Sequence, residues 1–154
     1  MRDDLSKIEY KSYVEDLSGY LVKSVKGADS KVQVNINIPQ IELGIDTAIP
    51  LGLLINEALT NALKYGIQDN DEGVIHIELK KIAEKNYILN IGDNGVGFPE
   101  EVNFKNSRSL GLKLIHNLAR QLKGTIKRDL TKKGTNYIIN FQEIGQTDFH
   151  PSVA

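Results

Sequence analysis

The sequence predicts an α+β fold, a two-layer α/β sandwich in which one mixed, mostly antiparallel sheet carries three helices on one face. Three observations predict it. Apolar residues recur at steps of three and four over 8–25, 48–66 and 110–123, the period of a helix packed along one side. Strand-like runs occupy 31–38, 74–82, 87–91, 125–130 and 136–141, bounded by turn residues. The resulting order is α, β, α, β, β, α, β, β, and its last two strand pairs read as hairpins. No repeat, low-complexity tract or linker divides the chain. Residues 8–143 are expected to form one domain, with 1–7 a loose linker remnant and 144–154 a flexible tail.

In the first helix Tyr10, Tyr13, Val14, Leu17, Leu21 and Val25 share a face. Gly19 lowers helical propensity there without forbidding a helix. Gly27 to Ser30 end it. Val32, Val34, Ile36 and Ile38 then alternate with polar residues until Pro39. Asp46 and Thr47 are suitable N-caps for the second helix, with Pro50 in its first turn. Leu51, Leu54, Ile55, Ala58, Leu59 and Ala62 form its apolar face, and Gly66 closes it. Two strands follow around a turn at 83–86. The second, Tyr87–Ile91, runs into Asp93-Asn94-Gly95-Val96-Gly97. Ser109 is placed to cap the third helix, whose expected buried face is Leu110, Leu114, Ile115, Leu118, Ala119 and Leu122. The last hairpin turns at Lys132-Lys133-Gly134-Thr135.

Composition narrows the function classes. The 154 residues suffice for one real core. Lys and Arg number 19 against 20 Asp and Glu, so no global basic excess points to nucleic acid or an anionic membrane. The absence of cysteine excludes disulfides, thiol catalysis and thiolate metal sites, and fits a reducing, cytoplasmic setting. No apolar run approaches the ~18–20 residues of a membrane span, and no secretory leader opens the chain, so this segment is expected to make no membrane contact. The phosphate-loop, dinucleotide-binding, zinc-protease and serine-hydrolase motifs are missing. His76, His116 and His150 are scattered.

Four short stretches could carry chemistry. On the second helix Glu57, Thr60, Asn61 and Lys64 make one polar stripe, with Tyr65 at its edge. A carboxylate beside an amide oxygen suits Mg²⁺, which takes one or two protein oxygens and completes its shell with phosphate and water. Lysine suits phosphate as a point charge. A surface hydrogen bond between Glu57 and Asn61 reads equally well from spacing. Asp93-x-Gly95-x-Gly97 presents bare backbone at a strand end, although Asp-Asn-Gly is also ordinary turn chemistry. Ser107 to Leu112 set a small, glycine-containing turn at a helix start, which is either a phosphate seat or a plain serine cap. Gly134-Thr135 reads as a hairpin turn unless the other three stretches converge on it.

Together the four stretches resemble one family. Asn56-Glu57-Ala58-Leu59-Thr60-Asn61-Ala62-Leu63-Lys64-Tyr65, Asp93-x-Gly95-x-Gly97, Ser109-Leu110-Gly111-Leu112 and Gly134-Thr135 resemble the asparagine box, the two glycine boxes and the final Gly-Thr of Bergerat-type ATPases. Gyrase, the heat-shock chaperone ATPases and sensor histidine kinases share that site. The strongest likeness is to the ATP-binding domain of sensor histidine kinases. Pro50 to Glu57 and the run Ser109 to Gly124 stand as in one subfamily of them. The resemblance covers roughly residues 8–143.

The resemblance implies ATP and Mg²⁺ as cofactors. Asp93 would accept a hydrogen bond from the adenine amino group, with Thr135 in support, while Gly95 and Gly97 make room. Asn61 would hold Mg²⁺, Lys64 would touch phosphate, and Tyr65 would pack near adenine or ribose. Glu57 would act as base, indirect metal support or orienting group. Residues 98–109 would be a lid, with Ser109, Leu110, Gly111 and Leu112 cradling phosphates and Lys105 or Arg108 reaching the γ-phosphate. The implied activity is transfer of the γ-phosphoryl group to a histidine on a separate dimerisation domain, for relay to a response regulator. None of the three histidines of this chain suits that acceptor role, so the chain reads as the catalytic domain alone, monomeric in isolation. The alternatives are a Bergerat-type ATPase, an anti-sigma-factor-like serine kinase, or a nucleotide-sensing module without turnover.

Overall fold

The computed structural model describes residues 7–67, 72–96 and 107–144, with backbone only at 107–109. Its elements are β1 (Lys7–Glu9), α1 (Tyr10–Lys26), β2 (Gln33–Asn37), β3 (Glu42–Gly44), α2 (Ile45–Asn61) with a π-helical turn at Ala62–Gly66, β4 (Val74–Ala83), β5 (Asn86–Asp93), α3 (Ser107–Gln121), β6 (Thr125–Arg128) and β7 (Asn136–Gln142). The main sheet has five strands in the order β2-β4-β5-β7-β6. Only the β2–β4 pair is parallel, and the other three pairs are antiparallel. The expected mixed sheet and three helices are therefore present.

Alternation decides which face of the sheet is covered. Ile75, Ile77 and Leu79 on β4 are buried, as are Leu89 and Ile91 on β5 and Ile139 and Phe141 on β7. They join one core with Leu51, Leu54, Ile55 and Leu59 of α2 and Ile115, Leu118 and Leu122 of α3. His76, Glu78, Asn90 and Asn140 lie on the opposite, partly exposed face. Burial of this size is what drives the fold, since each fully buried aliphatic side chain contributes about 1.5–3 kcal/mol.

Several boundaries differ from the sequence expectation. Lys7–Glu9 pair with β3 in a second, two-stranded sheet, so α1 begins at Tyr10 rather than Ile8. The Glu9 carboxylate caps it, accepting from the N–H groups of Lys11 (2.9 Å) and Ser12 (3.3 Å). Glutamate is not a standard cap residue, so periodicity alone set that helix start two residues early. The start of α2 is Ile45, with Gly44 at the N-cap and no side-chain cap bond. Asp46 and Thr47 thus lie inside the first turn, and Pro50 lies beyond it. Thr47 is fully buried, and its Oγ1 accepts the Ile144 N–H at 2.6 Å. The α-helical hydrogen bonding of α2 ends at Asn61 rather than Gly66.

The third helix begins at Ser107, so Ser109 lies within its first turn instead of capping it. Leu110 and Leu114 are 60% and 43% exposed, against expectation. The buried face is Gly111, Ile115, Leu118, Ala119 and Leu122. Its rotation follows from Gly111, whose bare backbone faces α2. A reading of apolar periodicity gives glycine no weight. Residues 97–106 and 145–154 lie outside the described residues.

Tyr10 links the first helix to the second. Its ring is fully buried, and its hydroxyl donates to the Ala48 carbonyl at 3.1 Å. Tyr10→Phe keeps the ring and removes the donor, leaving a buried carbonyl with one partner fewer. The expected loss is about 1–2 kcal/mol, read as a lower urea midpoint with an unchanged slope. An unchanged midpoint would show that this bond adds nothing to stability.

Candidate functional site

Strand β5 delivers its last residue, Asp93, to the centre of the sheet end. Asp93 is 2% exposed. Its backbone is fixed by the final hairpin: its N–H donates to the Thr135 carbonyl at 3.0 Å, and its carbonyl accepts from Asn136 Nδ2 at 3.4 Å. Asn136 also donates to the Lys133 carbonyl at 2.9 Å, which holds the 133–136 turn in place. Gly134 adopts φ +91°, and a Cβ there would collide with the Asp93 carbonyl. The hairpin turn therefore converges on the acid, as the resemblance implies.

The carboxylate is held from the other side. Asp93 Oδ1 accepts the Gly95 N–H at 2.8 Å, the local turn that aspartate makes two residues on. The next N–H, of Val96, donates to the Gly66 carbonyl at 3.0 Å. A Cβ on Gly95 would run into that same carbonyl. The close approach at Gly95 is thus to the backbone of the π-helical turn. Gly97 lies outside the described residues.

Asp93, Thr135 and Tyr137 line a narrow cleft of about 10 Å³ with Ala58, Asn61, Ala62, Tyr65, Ile75 and Ile91. Its walls are mainly apolar and its polar groups are few. As it stands, the space is about that of one water molecule. The π-helical turn widens the helix by one residue, a device common at functional positions, and Tyr65 is brought to the cleft from it. Lys64, in the same turn, is exposed and does not line the cleft.

The polar stripe of α2 meets α3. A Cβ on Gly111 would stand 2.9 Å from Glu57 Oε2 and 3.1 Å from Asn61 Nδ2. Glycine thus lets the α3 backbone close on both side chains, and it brings the stripe and the third helix to one place. Asn61 is 8% exposed, and its amide nitrogen has no hydrogen-bond partner. An orphaned buried amide of this kind marks a place for a polar ligand. The first turn of α3, with Arg108, Ser109 and Leu110, carries N–H groups that a helix cannot satisfy internally. Leu112 packs partly buried against the core. Lys105 lies outside the described residues. Among the described residues no group of three or more His, Asp or Glu could hold a metal by itself.

Sequence reasoning missed Gly66, Asn136 and Tyr137. The strand register, which pairs Gly92 with Asn136 and Ile91 with Tyr137, brings the last two to Asp93, and the π-helical turn brings Gly66 against its carboxylate. No spacing within the sequence signals it.

Comparison with known proteins agrees with this geometry. The family described as histidine kinase-, DNA gyrase B-, and HSP90-like ATPase matches residues 46–144. Blue-light-activated histidine kinase 2 of Erythrobacter litoralis is 27% identical over 124 residues, 79% of this chain and 35% of that protein. The chain thus spans about a third of that kinase. An anti-sigma F factor of Clostridium botulinum is 31% identical over 81 residues, 53% of this chain and 56% of that protein. In fold, the histidine kinase domain of the Erythrobacter litoralis EL346 blue-light activated histidine kinase superposes with a TM-score of 0.74 at 24% identity, covering 88% of this chain and 62% of that chain. The ATP binding domain of PrrB from Mycobacterium tuberculosis superposes with a TM-score of 0.61 at 19% identity, covering 90% and 97%. The match begins at the first turn of α2 and runs to the end of the last strand, taking in Glu57, Asn61, Asp93, Gly111 and Thr135: the chain belongs to the histidine kinase-, DNA gyrase B- and HSP90-like ATPase family.

Proposed function

We propose that this domain binds ATP with Mg²⁺ and transfers the γ-phosphoryl group to a histidine on a separate domain of its parent kinase, for relay to a response regulator. The observation that carries the reading is the buried Asp93 carboxylate at the base of an apolar cleft. It accepts hydrogen bonds only, so it selects a base edge that donates one, as the adenine amino group does. Thr135 stands beside it through the Asp93 N–H bond. Because the cleft is narrow, the base enters by parting Tyr65 from the sheet side.

At the other end of the cleft, Glu57 and Asn61 offer a carboxylate and an amide oxygen within reach of one point near Gly111. That donor set fits Mg²⁺ shared with phosphates rather than a metal held by protein alone. When bound, the ion neutralises charge building up on the phosphates. The unpaired N–H groups at the start of α3 face the same charge, and Arg108, Ser109, Gly111, Leu112 and Lys105 are assigned to the phosphate end. Lys64 serves as a mobile charge at the rim. In the transfer the imidazole nitrogen of the acceptor attacks the γ-phosphorus, the bond to the β–γ bridging oxygen breaks, ADP leaves, and the imidazole gives up its proton. Positioning and charge stabilisation supply the rate in such a step.

Asp93→Asn tests this reading. Asparagine keeps an acceptor for the Gly95 N–H but removes the charge, so the fold survives. ATP affinity is expected to fall about 10- to 100-fold, the worth of a charged hydrogen bond. Equal calorimetric affinity in the two proteins would refute the assignment of the base site.

The likeness to anti-sigma F factors, together with a glutamate at position 57, favours a second reading: an ATPase or serine kinase that needs no histidine partner. Here Glu57 would orient or deprotonate the attacking water or hydroxyl. Steady ATP hydrolysis by this domain alone, lost by about 10²-fold or more in Glu57→Gln, would favour it. Tight ATP binding without turnover, in both proteins, leaves the histidine-kinase reading in place.

A further inference from the structure

Between α1 and β2, far from the cleft, runs a groove of about 350 Å³. We propose that it is a self-complementary surface through which two copies of this chain pair about a two-fold axis. Strand β2 is one edge of the main sheet. Its Gln33 N–H donates inward to the Gly73 carbonyl at 3.0 Å. By strict alternation Gln33, Asn35 and Asn37 turn their backbone groups to β4, and Val34 and Ile36 turn theirs to the open edge. The Val32 N–H is already given to Ser30 Oγ at 3.1 Å. An unpaired edge of this kind is a template for another strand.

The wall above it is formed by α1 and has its own symmetry. Glu15, Gly19 and Lys23 all line the groove and stand at intervals of four, along one stripe of the helix. Glycine at the middle of a helix costs about 1 kcal/mol relative to alanine. No atom lies within 4 Å of where a Cβ on Gly19 would stand, so nothing inside the domain requires glycine there. Beside it Ser18 is 3% exposed, and its hydroxyl has no hydrogen-bond partner. The only ion pair among the described residues joins Lys80 and Glu78, so among them Glu15 and Lys23 have no opposite charge bound.

A two-fold axis between Gly19 and Val34 satisfies these features together. It sets Glu15 of one copy against Lys23 of the other, twice. It crosses the two α1 helices at glycine, where backbones approach closely. It pairs β2 with its own copy in antiparallel register about Val34, closing about four backbone hydrogen bonds. The ends of the groove carry opposite charges at equal distance from its centre, which fits a second copy of this chain better than an unrelated strand. The proposal departs from the monomer that the family resemblance implies.

Sedimentation of the protein from micromolar to near-millimolar concentration tests the proposal. The wild type is expected to pass from monomer to dimer. Gly19→Leu is expected to abolish the dimer while raising the thermal midpoint of the monomer, since leucine is the better helix former. That opposite sign separates the interface from the fold. Glu15→Lys and Lys23→Glu each set like charges together and are expected to weaken dimerisation about tenfold or more. Mixing the two variants restores both pairs, so a heterodimer is expected where neither dimerises alone. A wild type that stays monomeric throughout overturns the proposal, as does a dimer indifferent to Gly19→Leu or a mixture that fails to associate.

Discussion

The site depends on how the backbone around Asp93 is fixed. A carboxylate that is 2% exposed is costly to bury unless its surroundings hold it with hydrogen bonds. Here the acid sits at the end of a central strand. Its N–H is tied to Thr135, its carbonyl to Asn136, and one carboxylate oxygen to the Gly95 N–H. Two segments of chain, 93–95 and 135–136, thus meet at one residue, and the turn at Gly66 closes on the same carboxylate. The packing is close enough that glycine is the only residue able to stand at 95 and 134. The hairpin register, the π-helical turn and the two glycines are consequences of the same requirement: the acid must not move when a base arrives.

The two ends of the cleft are built differently. The base end is a matter of backbone, held by sheet pairing and by the 133–136 turn. The phosphate end is a matter of side chains on two helices. Glu57 and Asn61 come from α2, and Gly111, without a Cβ, lies close to the ends of both side chains.

Much of this was legible in the residues. The apolar face of α2 has the six side chains that the 3.6-residue period names, all buried, and the order of elements gives the two-layer architecture. The four motif stretches come together in the structure around α2 and the sheet end. What was not legible belongs to tertiary pairing. The Lys7–Glu9 strand exists because β3 is there to pair with it, not because three residues have a pattern. The rotation of α3, which exposes Leu110 and Leu114, is set by a glycine that periodicity ignores. In each case the deciding partner lies far away in sequence, so no local window contains it.

Glycine therefore carries two opposite meanings in this chain. At 95 and 134 it is required by backbone atoms already present, and at 111 an added carbon would press on the ends of Glu57 and Asn61. At 19 it is required by nothing inside the domain, in a helix that would be better formed with almost any other residue. A glycine that the interior demands speaks of the fold, and one that the interior leaves open speaks of what lies outside. Gly19 is of the second kind, and the open edge of β2 lies beside it. Two unsatisfied features on one groove are more economically explained by one partner than by two separate accidents, and a copy of the same groove is the surface whose charges match it at both ends.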